Sequence, residues 1–210
     1  MTAHERSACR LWLSDRVAGV ILAGGRNSRM GGADKAFLTV NGETVFHRTL
    51  HLFQRCFPEV VVVSNRPEKY RGFDVEVAAD EFAGRGPLAG IHAALGRTRL
   101  PYVFVVACDM PFLRAEPIAF LIAQLRGQAA VIARWENDIE PLHALYATRL
   151  REPMAEALRD GVCAIRDFLP RIEVQYVPED VMQSVPGVEE SFRNINTPED
   201  AARFAIAVRA

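Results

Sequence analysis

The run Gly19-Val-Ile-Leu-Ala-Gly-Gly-Arg-Asn-Ser-Arg-Met-Gly-Gly-Ala-Asp-Lys35 decides the fold. Its opening, preceded by Val17 and Ala18, is apolar on both faces, as a strand inside a parallel sheet covered on both sides must be. Glycines then follow at positions 24, 25, 31 and 32. Glycine lacks a Cβ and tolerates positive φ, so successive backbone N–H groups can close around a phosphate as an anion-binding concavity. A loop of this kind at the end of a buried strand lies at the carboxyl edge of an open α/β sheet, where such folds bind ligands. Arg29 and Lys35 add positive charge. Of the 25 basic residues only Lys35 and Lys69 are lysines, which singles out a lysine inside the loop.

Outward from this run, short apolar stretches at 17–22, 60–63, 75–78, 102–107, 129–133, 143–147 and 173–177 read as strands. The first and fourth are apolar on both faces and are predicted to be central. Between them, 43–56 places Val45, Thr49, Leu52, Phe53 and Cys56 on one helical stripe. Pro87 suits the first turn of a helix burying Leu88, Ile91, Ala94 and Leu95. Ile118, Leu121, Ile122 and Leu125 repeat the pattern. Thr197-Pro198-Glu199-Asp200 opens a last helix with a cap, a proline at the first helical position and acids in the first turn. The alternation predicts an α/β fold: a three-layer, Rossmann-like, mostly parallel sheet with helices on both faces. One domain is expected over 17–210, with 1–16 as an N-terminal extension.

Composition narrows the function. A chain of 210 residues that is half apolar can bury a core without disulfides or a structural metal. A net charge of −1 lacks the basic excess that a nucleic-acid binder needs, so no nucleic-acid partner is expected. Cys9, Cys56, Cys108 and Cys163 are too scattered for a zinc site or a disulfide framework. No stretch suits a signal segment or a membrane span, and a cytoplasmic location is expected.

The glycine loop is neither a Walker A loop nor G-x-G-x-x-G, and Gly84-Arg-Gly86-Pro-Leu-Ala-Gly90 is one residue too long for the latter. No Gly-x-Ser-x-Gly elbow occurs. His47 and His51 are four apart on a helix, but Arg48 stands where a metalloprotease has glutamate, and the pair reads as a solvated face.

Leu22-Ala23-Gly24-Gly25, Ser28-Arg29-Met30-Gly31 and Asp34-Lys35 together resemble the signature loop of nucleotidyltransferases of the glycosyltransferase-A-like fold. The double glycine after Leu-Ala and the Asp-Lys ending are most similar to the molybdenum cofactor guanylyltransferase family. The resemblance continues through Asp80, Gly86-Pro87-Leu88-Ala89-Gly90, Cys108-Asp109-Met110-Pro111 and Asn194-Ile195-Asn196-Thr197-Pro198-Glu199, over nearly all of the chain from Val17. It implies GTP binding by Leu22, Ala23, Gly24, Gly25, Lys35, Asp80 and Asp109, and a Mg²⁺ ion on Asp109. The residues agree with this. Asp109 follows a buried strand, and one carboxylate can suffice for magnesium when a nucleotide supplies the remaining oxygens. Asp80 could accept from guanine N1 and N2 or hold ribose. Where some members of the family place a GTP-contacting asparagine this chain has Val63. Asn65, two residues on, either substitutes for it or only turns the chain. Asn196 replaces an aspartate of many relatives, and His143 alternates into a strand as a structural residue.

The resemblance implies transfer of GMP from GTP to the terminal phosphate of molybdopterin, with Arg29, Lys35 and Asp109 as the catalytic groups. Molybdoenzyme apoproteins or other cofactor-biosynthesis proteins would be further partners. Two rival readings remain: a cytidylyltransferase of the same fold, and a nucleotide-responsive adaptor that delivers cofactor without chemistry. Arg97, Arg99, Arg134 and Arg166 are all candidates to grip the pterin.

Overall fold

The structure is a computed structural model that describes residues 13–24, 35–195, 197 and 200. Its strands are β1 (Val17–Leu22), β2 (Thr39–Val40), β3 (Glu43–Thr44), β4 (Val60–Val63), β5 (Glu76–Ala78), β6 (Tyr102–Ala107), β7 (Ala130–Trp135), β8 (Asp138–Ala147) and β9 (Val174–Val177). Strands β2 and β3 form a small antiparallel ribbon, and the other seven form one sheet in the order β5-β4-β1-β6-β8-β7-β9. Only β8 runs against the rest. The expected mostly parallel sheet is therefore present, with β1 and β6 side by side within it.

The period-two alternation of β1 explains the layers. Val17 and Ile21 face one core with Phe104 of β6, and there α1 (Val45–Cys56) and α3 (Ala115–Ala123) bury Phe46, Phe53, Ile118 and Leu121. Ala18, Val20 and Leu22 face the other, where α2 (Gly86–Leu95) and α4 (Arg151–Arg159) bury Leu88, Ile91, Met154 and Leu158. Short helices α5 (Ile165–Phe168), α6 (Glu179–Gln183) and α7 (Val188–Ser191) complete the described chain. Helix α1 starts at Thr44, whose hydroxyl accepts from the His47 N–H at 3.2 Å. Its buried side is broader than the predicted stripe, because Phe46 and Leu50 join it.

One predicted strand starts earlier than the sequence-based expectation. Strand β8 begins at Asp138, five residues before the predicted start, as the return arm of a hairpin whose turn residues Glu136 and Asn137 have φ of 51° and 62°. Between the Ile132–Ala144 and Arg134–Ile139 pairs the register shifts, so the segment 140–143 bulges against β7. Pro141 has no N–H for a ladder, which suits it to this bulge and breaks the alternation a strand would show. The predicted last helix lies outside the described residues. Its cap is described: Thr197 Oγ1 accepts from the Asp200 N–H and Asp200 Oδ2 from the Thr197 N–H, at 3.1 and 2.9 Å.

Candidate active site

Because β1, β4, β5 and β6 are parallel, their carboxyl ends lie along one edge. The Ala23 N–H donates to Val63 O, the Ser64 N–H to Ala78 O and the Cys108 N–H to Leu22 O, at 2.9, 2.9 and 3.1 Å. Four strand ends are thereby stitched together just where Ala23, Asn65, Asp80 and Asp109 leave the sheet. The decisive contact is between Lys35 and Asp109, 74 residues apart in sequence: Lys35 Nζ lies 3.3 Å from Asp109 Oδ2. Their side chains are 18% and 22% exposed, reachable from solvent yet shielded enough for charge to matter. Gly25 and Arg29 lie outside the described residues, as does Asn196.

Several residues fix this pair. Lys35 opens a 3-10 turn with Ala36 buried. After it, Leu38 and Val40 pack with Val45, Ile195 and the half-buried Phe112, so the chain beyond Lys35 and the chain beyond Asp109 share one small core. The Ile195 N–H donates to Asp109 O at 2.8 Å, which brings Asn194 alongside Asp109. Tyr70 has no place in the sequence-based list. Its hydroxyl donates to Ala23 O at 3.3 Å and its ring meets Phe37 at 5.7 Å, so one side chain holds both shoulders of the glycine loop.

Asn65 and Asp80 form a second arm. Asn65 Oδ1 accepts from the Asp80 N–H at 3.0 Å, and Asp80 Oδ1 accepts from the Phe82 N–H at 2.8 Å. Burial raises the Asp80 carboxyl above its usual range, against the lowering pull of the Phe82 N–H. The Phe82 ring packs edge-on against His92 of α2, at 5.1 Å. Burial holds the His92 imidazole below its usual range. Asn65 thus shapes the Asp80 turn. Helix α2 begins after this turn with Gly86 at φ 71°, where a Cβ would stand 3.1 Å from Cys163 O. A Cβ on Gly90 would come within 3.2 Å of Leu22, so that glycine lets the helix lie close against β1.

The third arm is the β8 bulge, which faces the same edge because β8 runs antiparallel to β6. Glu140 is the second residue that sequence reasoning missed. Burial, then the charge of Asp138, push its carboxyl up to about 7, and Asp109 contributes in the same direction. Arg166 binds both oxygens of Asp138, its Nη2 to Oδ2 at 2.8 Å, and Nη2 also reaches Ile139 O at 3.2 Å. Of the four candidate arginines, Arg134 stacks over the Tyr176 ring at 4.9 Å. Arg97 and Arg99 line a groove with Val60 and Glu76 at the amino ends of β4 and β5, away from the site, whereas Arg166 stands beside the bulge. His143 is fully buried, edge-on to Phe104 and Phe192, and burial pushes its imidazole down to about 3. That is a packing role.

A family model described as "MobA-like NTP transferase domain" matches residues 19–175. The chain belongs to the MobA-like NTP transferase family. The match takes in the Leu22–Gly24 strand end, Lys35, Asn65, Asp80, Asp109 and the bulge, so the family's domain and the carboxyl-edge site coincide. Among similar proteins, a probable molybdenum cofactor guanylyltransferase of Pelotomaculum thermopropionicum is 36% identical, the match covering 91% of this chain and 93% of the relative. A molybdenum cofactor guanylyltransferase of Desulfosudis oleivorans is 34% identical over 93% of this chain and 98% of its own. The crystal structure of molybdopterin-guanine dinucleotide biosynthesis protein A from Archaeoglobus fulgidus superposes with a TM-score of 0.77 at 30% identity, covering 89% and 96% of the two chains. A MobA-like NTP transferase is a nucleotidyltransferase, so the chain is a nucleotidyltransferase enzyme.

Proposed function

We propose that this chain transfers GMP from GTP to the terminal phosphate of molybdopterin, forming molybdopterin guanine dinucleotide and pyrophosphate. The single observation that carries the reading is the Lys35–Asp109 pair, which joins the end of the glycine loop to the end of β6. In the reaction an oxygen of the acceptor phosphate attacks the α-phosphorus of GTP and the bond to the β-phosphate oxygen breaks. A phosphate monoester is already anionic near neutral pH, so no base has to remove a proton. What the protein must do is hold two anions in line and offset their charge.

The backbone from Leu22 to Gly25 would receive the phosphates. Lys35, as a point charge on a flexible stem, would follow the phosphoryl group, and Arg29 would add a second positive charge. Asp80, in a turn shaped by Asn65, would accept from the guanine edge or hold ribose. Magnesium suits Asp109: the donor is a hard carboxylate oxygen, 22% exposed, at which nucleotide phosphate oxygens could complete the shell. When bound there, the ion would supply Lewis-acid neutralisation of the phosphates. Arg166, held at the bulge by Asp138, would meet the acceptor. Residues 17–210 would act as one nucleotidyltransferase domain. The described cysteines Cys56 and Cys163 are free thiols, which suits a reducing cytoplasm.

Relatives at this level of identity carry the guanylyl name, which favours GTP over CTP. The test is pyrophosphate release from GTP or CTP with magnesium, with and without molybdopterin. Release from GTP that requires molybdopterin is expected. Equal or faster release from CTP would replace this reading with the cytidylyl one, and nucleotide binding with no release would replace it with the adaptor.

A further inference from the structure

Helix α1 carries a cluster that the carboxyl-edge site does not use. Glu43 opens the ribbon strand β3, just before the Thr44 cap of α1, and His47 and His51 lie four apart on one face of the first two turns of α1. Their donor atoms converge. Glu43 Oε1 lies 3.5 Å from His47 Nδ1 and 3.3 Å from His51 Nδ1, and all three donors are within 4.8 Å of one another. The sequence shows only a histidine pair with arginine at position 48. The missing carboxylate arrives from four residues before the first histidine instead.

We propose that Glu43 Oε1, His47 Nδ1 and His51 Nδ1 bind one divalent transition-metal ion of the zinc class. Bonds of about 2.0–2.2 Å to nitrogen and oxygen set tetrahedral ligand atoms roughly 3.3–3.5 Å apart, which both Glu–His distances already meet. The two imidazole rings lie 4.0 Å apart, and the edge of Phe73 supports His47 at 5.8 Å. A single dication uses the lone pair of each neutral ring and the carboxylate charge together. Arg48 Nη1 approaches the other oxygen, Oε2, at 3.8 Å. Two imidazoles and one carboxylate select zinc, nickel, cobalt or copper over magnesium, which prefers oxygen donors alone.

Side-chain exposure of 33%, 43% and 58% for Glu43, His47 and His51 leaves the ion an entry path. A groove of about 230 Å³ beside them, lined by Arg48, Leu52, Arg55, Pro111 and Leu113, has room for water on the remaining coordination positions. The site shares no residue with the carboxyl-edge site. A bound ion would tie β3 to the first two turns of α1.

The test is zinc titration of the full chain, free of affinity tags and stripped with chelator, followed by competition with a chromophoric chelator and by thermal melting. One ion per chain is expected, with a raised melting temperature. His51→Ala, at the most exposed ligand, should weaken binding at least about 100-fold, since even outer-shell partners of a metal ligand are worth 10–100-fold. Zinc-free melts of wild type and His51→Ala should coincide. Asp109→Asn should keep the site, which separates it from the nucleotide-linked metal. Cu²⁺ in the wild type should show nitrogen coupling by electron paramagnetic resonance that His47→Ala/His51→Ala loses. Absence of one-to-one binding, binding unchanged in His51→Ala, or binding lost in Asp109→Asn would overturn the proposal.

Discussion

At the residue scale, Lys35 and Asp109 divide the work of offsetting charge, and each is held by neighbours that do not depend on the other. Leu38 and Val40 anchor the chain after Lys35, and the Ile195 N–H anchors the Asp109 carbonyl. Removing either side chain should therefore leave the fold intact and strip charge from the site. Lys35→Ala and Asp109→Ala are each expected to lower the guanylyl-transfer rate by about 10²–10³, the usual loss for one preorganised electrostatic group. Rapid-quench turnover, with circular dichroism to confirm the fold, checks this; near-normal turnover in both would sink the assignment. Lys35 and Asp109 were legible in sequence because their motifs pair unusual residue types with strand ends. Tyr70 was not, because a tyrosine in a 3-10 turn carries no sign that its hydroxyl will meet a carbonyl 47 residues away.

At the element scale, the strands that read most clearly were those whose burial is two-sided, β1 and β6, since a continuous apolar run needs no partner to be recognised. Strand β8 was cut short for the opposite reason: Glu140 and Pro141 interrupt its pattern, and the hairpin with β7 supplies what the pattern lacks. Helix α4 carries only a short periodic signal in the sequence. Arg151, Glu152 and Pro153 lead it, and its apolar face is only Met154, Ala155, Ala157 and Leu158. Contact between elements also decides residues that composition leaves open. Gly19 lies in the middle of β1, where a Cβ would be 2.5 Å from Phe53 of α1 and 2.6 Å from Phe57 just beyond it. Those are rings, fixed by Phe104 behind them, so they cannot fold aside. Gly19→Ala should lower unfolding stability by about 1–3 kcal/mol through overpacking between β1 and α1. Urea unfolding measures it; an unchanged midpoint would mean that the helix can shift outward freely.

At the scale of the whole molecule, the sheet's carboxyl edge gathers acids as well as the cations meant for phosphate, and stability should report it. Glu140 makes the clearest case. Its carboxyl, ordinarily near 4.5, is pushed up to about 7 by burial and by Asp138. Between these values the native state holds a proton that the unfolded chain has released. The unfolded chain then binds fewer protons than the native state and unfolding releases one, so stability falls as pH rises from about 4.5 and the loss is complete above about 7. Glutamine at this position has the same shape and no charge to lose. Glu140→Gln should match the wild type at pH 4 and exceed it at pH 8 by on the order of 2 kcal/mol, the gap opening across that window. Denaturant unfolding at several pH values, in chelator so that no cation masks the edge, reads the effect. A constant gap would assign it to packing in the bulge, and no gap at any pH would mean that water reaches the carboxylate freely.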